Sequence, residues 1–147
     1  MKLALLREKL GDLMTDADEF RGELTIYVDK KDILPVCRIL KDQLFFNYLS
    51  DLCGVDYWPQ TPRFCVVYHL YSFPRNHRLR VKVFLNEECA DVDSVTAIWA
   101  AADWHERECF DLLGIRFANH PDLRRILLPD DFSGHPLRKD YPLEGKQ

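Results

Sequence analysis

Leu3, Leu6, Leu10 and Leu13 recur three and four apart, which predicts a first helix from about Lys2 to Leu13. Leu24-Thr25-Ile26-Tyr27-Val28 then reads as a strand, rich in β-branched and aromatic residues. A second helix is expected from an Asp32 cap, with Pro35 in its opening turn. Its stripe runs through Val36, Cys37, Leu40, Leu44 and Tyr48, and Gly54 serves as its stop. Phe64 to Tyr71 is apolar at almost every position, as in a strand covered on both faces. Leu79 to Leu85 alternates, so one of its faces is buried and the other wet. Ser72 to Asn76, with Pro74, form the hairpin between them. A third helix is expected from an Asp93 or Ser94 cap to Leu113, ending at Gly114 with Ile115 as the apolar contact beyond. The order helix-strand-helix-strand-strand-helix predicts an α+β fold: a small mixed or antiparallel sheet with helices on one side.

The pattern then changes. Pro121, Pro129, Pro136 and Pro142 punctuate the C-terminus too closely for a regular helix or a central strand. The same stretch carries Leu123, Ile126, Leu127, Leu128, Phe132, Leu137 and Tyr141, which need a surface to lie against. Two units follow from this: a globular domain over 1–115 and an extended proline-rich arm over 116–147. The arm is expected to dock on a partner, unable to satisfy itself, and to be removable from a domain that stays folded.

A chain of 147 residues with 47% apolar and 30% charged residues has ordinary globular composition. The net charge of −4 gives no reason to expect nucleic acid or anionic lipid as a partner. The arm holds six Lys/Arg and five Asp/Glu, a mixture suited to a paired interface. No apolar run is long enough to insert in a membrane, and Lys2, Arg7 and Glu8 bring charge too early for a secretory or transit signal. Five scattered cysteines, odd in number, point to reduced and buried thiols in a cytoplasmic setting.

Candidate chemistry concentrates on the third helix, in Asp103-Trp104-His105-Glu106-Arg107-Glu108. Glu106 falls within the apolar stripe, where an unpaired carboxylate is costly. It is either a base with a raised pKa or a structural anion tied to an arginine such as Arg124 or Arg125; we adopt the second. Trp104, with Ala97, Ala100 and Ala101, lies on the other side of the helix, facing a partner or the N-terminal helix. His105 and Cys109, with His120, Asp131 and His135 in reach, define an alternative: a stand-alone metal-dependent enzyme. The clustered spacing of a metal site is missing, so no metal is assigned. Ser133-Gly134-His135 lacks the strand-turn-helix context of a nucleophile, and no phosphate-binding glycine loop is present. A redox-sensing thiol is a third, weaker reading.

Glu106-Arg107-Glu108-Cys109-Phe110-Asp111-Leu112-Leu113-Gly114-Ile115, followed by His120-Pro121-Asp122-Leu123-Arg124-Arg125-Ile126-Leu127, resembles the signature of the C subunits of NADH-quinone oxidoreductase (respiratory complex I; the J subunit of the cyanobacterial and chloroplast enzyme). The match continues through Pro129-Asp130-Asp131-Phe132 and Gly134 to Pro142, and Gly54-Val55-Asp56-Tyr57 and Tyr68-His69-Leu70 look similar too. Asn119 stands where the family usually has glycine, a residue type that tolerates left-handed backbone. The resemblance implies a non-redox, peripheral-arm subunit of a proton-translocating oxidoreductase, itself without catalytic, cofactor or metal residues. FMN, iron–sulfur clusters and quinone would belong to other subunits. Its implied partners are the quinone-site (D), the terminal iron–sulfur (B) and the ferredoxin-like (I) subunits, at the cytoplasmic face of the membrane. The implied partner-binding residues are Trp104, Arg107, Glu108, His120, Arg124, Arg125, Asp130, Asp131, His135, Arg138, Lys139, Asp140 and Tyr141, with Glu106, Asp111 and Gly114 structural. Related membrane-bound hydrogenases and ferredoxin-linked complexes carry similar subunits, which leaves the electron donor open.

Overall fold

The computed structural model describes residues 3–145. Lys2, the predicted start of the first helix, lies outside them. Three helices, α1 (Leu3–Leu10), α2 (Ile33–Asp42) and α3 (Ala102–Leu113), accompany seven strands. These are β1 (Asp16–Phe20), β2 (Glu23–Tyr27), β3 (Tyr48–Asp56), β4 (Phe64–Ser72), β5 (His77–Leu85), β6 (Asp91–Asp93) and β7 (Arg116–Ala118). The first five form a mixed sheet in the order β1-β2-β5-β4-β3, antiparallel except for the parallel pair β2·β5, and β6 and β7 pair in parallel. The fold is α+β with a mixed sheet, as its alternating patterns predict.

Strand parity decides what is buried. Ile26, Leu52, Val66, Tyr68, Val81 and Val83 share a core with Leu6 and Leu10 of α1, Val36 and Leu40 of α2, and Cys109 and Leu113 of α3. On the opposite face, side chains close over the sheet, as where Phe84 stacks near Tyr27 and Tyr57. Among the described residues, no helix is long and apolar enough to cross a membrane.

Several elements correct the predicted ones. β1 escapes detection because Asp16-Ala17-Asp18-Glu19-Phe20 is an exposed edge strand without an apolar face. It is joined to β2 through Arg21 and Gly22, both at positive φ, as tight hairpin turns require. The second helix ends at Asp42, with no side-chain cap from Asp32, and Tyr48 to Asp56 form β3. A register shift between Leu49 and Asp51 lets Leu49 and Leu52 both face inward, and this three-residue spacing imitates a helix. Gly54 therefore stops nothing. It sits where α3 crosses β3, and a Cβ there would run into Leu113 and stand 3.1 Å from Ile115.

The third helix begins at Ala102. Residues 91–93 form β6, and the turn that follows buries Val95, Ile98 and Trp99 at helical spacing without being an α-helix. Ala97, Ala100 and Ala101 lie in that turn rather than on the helix. The expectation of buried thiols holds for Cys37, Cys65 and Cys109, whereas Cys53 is half-buried and Cys89 exposed; all five are free.

Candidate partner interface

A helix leaves its last four carbonyls without intrahelical partners. In α3 each of the four is claimed by a residue from Gly114 onward. Gly114 N–H donates to Phe110 O at 2.9 Å. Asp111 O receives Arg125 Nη1 at 3.0 Å and faces His135 Nδ1 at 2.9 Å. Leu112 O accepts from Leu137 N–H at 3.0 Å, and Leu113 O from Arg138 Nε at 2.7 Å. The arginines also bring positive charge to the negative end of the helix dipole. Gly114 makes this approach feasible: its φ is +75°, and a Cβ would stand 2.6 Å from Arg138 Nη2 and 2.8 Å from the His135 ring.

Asp111 is the hub of this arrangement. Its fully buried carboxylate accepts Arg125 Nη1 at 2.7 Å on Oδ1, and the Ile126, Leu127 and Leu128 amides at 3.1, 2.8 and 2.9 Å on Oδ2. Burial alone would raise its pKa, but Arg125 and the three amides outweigh it and hold the group below the usual carboxylate range. Arg125 also donates to Phe132 O and Gly134 O, and Arg107 donates to Arg124 O and Arg125 O.

A second anchor lies near the end of the tract. Arg63, buried in the strand connection, forks onto Asp56 at 3.0 and 2.9 Å, meets Asp140 at 2.7 Å and reaches Glu87 at 2.6 Å. Asp56 also accepts the Lys139 amide at 2.9 Å. Its burial opposes ionisation, yet Arg63 and the Lys139 and Trp58 amides bring it down to about 2. The Arg63 and Arg138 guanidiniums stand 4.9 and 5.2 Å from the Phe64 ring centre, within cation–π range.

These contacts correct the picture of an arm that cannot satisfy itself. Residues 116–118 are strand β7, and the tract beyond it folds back on its own domain. Cutting it away would uncap α3, so the remaining domain is not expected to stay intact. The positive φ of Asn119, 62°, agrees with the left-handed turn expected there.

Glu106 also departs from expectation. Its buried carboxylate accepts Ser94 Oγ at 2.6 Å and Val95 N–H at 2.8 Å, while Arg125 serves Asp111 and the exposed Arg124 pairs with Asp122. Burial pushes Glu106 up to about 7 against those two hydrogen bonds. His120 Nε2 lies 3.9 Å from Glu106 and 3.1 Å from the backbone oxygen of Asp103. His105 faces Asp51, and Cys109 is buried with its thiol pushed up by that burial. His105, Cys109 and His120 are therefore not brought together as a metal site.

The outer side of this frame is apolar. Trp104 is 71% exposed, Leu127 63% and Leu137 59%. Trp104, Ala100, Ala101, Ile126 and Leu127 line a groove of about 660 Å³ together with the polar Asp103, His105 and Glu108. Asp130, Asp131, Lys139 and Asp140 are exposed, and Tyr141 is half-buried. Arg63, Asp56 and Glu87 were not singled out as site residues from sequence; only the Gly54-Val55-Asp56-Tyr57 run touched one of them, Asp56.

Comparison with known proteins agrees with this architecture. The family described as "Respiratory-chain NADH dehydrogenase, 30 Kd subunit" matches residues 26–147. The NADH-quinone oxidoreductase C subunit of Geotalea uraniireducens (strain Rf4) is 51% identical over 140 residues, covering 95% of this chain and 85% of that protein. Its counterpart from Roseiflexus sp. (strain RS-1) is 49% identical over 147 residues, covering 99% and 84%. Among solved structures, the trypsin-resistant fragment (1–134) of Nqo5 superposes with a TM-score of 0.73 at 32% identity, over 82% of this chain and 97% of that one. A chain of the membrane-bound sulfane sulfur reductase, an archaeal respiratory membrane complex, gives 0.82 at 25% identity over 96% and 84%. With four-fifths of its length matched by that family and half its residues shared with named relatives, the chain belongs to the respiratory-chain NADH dehydrogenase 30 kDa subunit family.

Proposed function

We propose that the chain is a non-redox scaffold of a complex I-type peripheral arm, stabilising the junction between the quinone-site (D) subunit and the terminal iron–sulfur (B) subunit. The observation that carries this reading is the groove beside Trp104 and Leu127, two large apolar side chains held in the open on a frame whose helix-end carbonyls are capped. Desolvated tryptophan commonly dominates the energy of an interface. In this reading Arg107, Arg125, His135 and Arg138 hold the surface in shape, and Arg124, Asp130, Asp131 and Lys139 form its polar rim. The flavin, clusters and quinone belong to the neighbouring subunits, and the chain reaches the membrane's cytoplasmic face only through them.

The test is the double variant Trp104→Ser/Leu127→Ser in the assembled enzyme. Both side chains are mostly exposed, so the isolated chain should keep its stability to within about 0.5 kcal/mol. The variant should be lost from the purified complex. Normal incorporation would overturn the proposal. Truncation is a poorer test, because removing the tract also uncaps α3.

The likeness to the sulfane sulfur reductase chain supports a second reading, in which the same scaffold serves a respiratory complex with another donor or acceptor. The subunits that co-purify with the wild-type chain separate the two: flavin- and NADH-binding partners favour the first, their replacement by others the second.

A further inference from the structure

The sequence offers no clustered metal spacing, but the sheet register makes one. Asp51 on edge strand β3 is the direct cross-strand partner of His69 on β4, and Cys53 lies two residues further along β3, opposite Val67. Because side chains alternate along a strand, Asp51, Cys53 and His69 emerge on the same face, away from the core that takes Leu52 and Tyr68. Their ligand atoms, a carboxylate oxygen, a thiol sulfur and an imidazole nitrogen, all lie within 4.8 Å of one another. Among the described residues, no other group of three such side chains meets this condition.

We infer that these three residues form a binding site for a zinc-class divalent cation. Zinc accepts this mixed sulfur, nitrogen and oxygen set at bond lengths that place tetrahedral ligand atoms about 3.3–3.8 Å apart. Closing from the present spacing takes about 1 Å, within reach of rotamer adjustment in side chains that are exposed or half-buried.

The surroundings suit a cation. The Cys53 thiol is held above its ordinary value by burial, then by the negative charges of Asp51 and Glu108, with Arg80 opposing. Only the Asp51 and Glu108 charges in that balance would be offset by a cation; the burial that leads it favours no ion of either sign. Arg80 is itself paired with Glu23 at 2.7 Å, which offsets its repulsion. His69 stands directly across the strand pair from Asp51 and offers a ring nitrogen to the site. His105 Nδ1, 3.5 Å from Asp51 Oδ1, stands where it orients the carboxylate.

The experiment titrates the purified, chelator-treated full chain with Zn²⁺, and with Co²⁺ as a spectroscopic substitute. One equivalent should bind, and cobalt should show a thiolate charge-transfer band. Cys53→Ser should abolish that band. His69→Ala and Asp51→Asn should each weaken binding at least tenfold, since even loss of an outer hydrogen-bonding partner costs about 10–100-fold. Asp51 is exposed, so its variant is a safe control for folding, checked by thermal melting without metal. Cys89→Ser, at the exposed cysteine, should bind like the wild type. The proposal fails if no stoichiometric binding occurs, if the Cys53, His69 and Asp51 variants bind as tightly as the wild type, or if Cys89→Ser removes the cobalt band.

Discussion

Arg125 Nη1 donates to both the carboxylate and the main-chain oxygen of Asp111, at 2.7 and 3.0 Å, so one guanidinium nitrogen joins a helix end to the tract that crosses it. The remaining Asp111 oxygen gathers three consecutive amides. A single buried carboxylate thus fixes the course of the chain from Arg125 to Leu128.

Asp111→Ala should therefore be among the most damaging single changes in the chain. It leaves the Arg125 charge without its carboxylate and three amides without an acceptor, a loss of about 3–5 kcal/mol. Urea denaturation of wild type and variant measures this. A loss below about 1 kcal/mol, the level of an exposed pair, would show the hub to be ornamental.

Gly114→Ala should destabilise by about 1–2 kcal/mol from the left-handed backbone alone. The new methyl group also displaces Arg138 and His135. Amide exchange should speed up at Leu137, whose N–H caps Leu112 O, before it speeds up in the β4·β5 ladder. Equal acceleration in both places would contradict a local effect.

Glu106 carries a pH signature of opposite sign to most carboxylates. Its folded pKa is raised from 4.5 to about 7, so the native state binds more protons than the unfolded state between those values, and stability falls as pH rises through them. The interval is worth about 3 kcal/mol, fully lost above pH 7. Gln in its place can still accept from Val95 N–H and can donate to Ser94 Oγ. Asp103 and His120 are the titratable neighbours, and both remain in the variant. Glu106→Gln should match the wild type near pH 4.5 and exceed it at pH 8. Parallel urea midpoints across that range would refute the assignment.

Asp56 behaves in the usual direction. Its pKa falls from 3.8 to about 2, so its contribution is present above pH 4 and disappears as pH drops through 2. The linked stabilisation is about 2 kcal/mol. Arg63→Met should erase this acid limb and also free Lys139 and Asp140 to proteolysis at neutral pH. An unchanged acid profile in that variant would break the link.

The legible parts of the fold were those whose burial follows a simple period. Phe64 to Tyr71 and Leu79 to Leu85 are strands because β4 is covered on both faces and β5 alternates. Gly114 was legible as a helix end because only a left-handed residue suits that position. β3 was misread since Leu44 and Tyr48 continue the four-residue spacing of α2 although Tyr48 is exposed on β3, and β1 was invisible since Ala17 alone of its residues is even partly buried. The partners of Glu106 and Asp111 exceeded what sequence offers: both are acids on one helix, and their separation between Ser94 and Arg125 depends on how residues 94–101 and 119–135 turn. Arg63 stood outside any motif, and only its burial with three carboxylates discloses its weight.

The capping of the last four carbonyls of α3 also imposes an order on synthesis. The last of them is supplied by Arg138, so a nascent chain halted anywhere short of that residue leaves the ribosome with its final helix unsealed. A chain that stops before Arg138 would therefore keep an open Leu113 carbonyl beside the left-handed turn at Gly114.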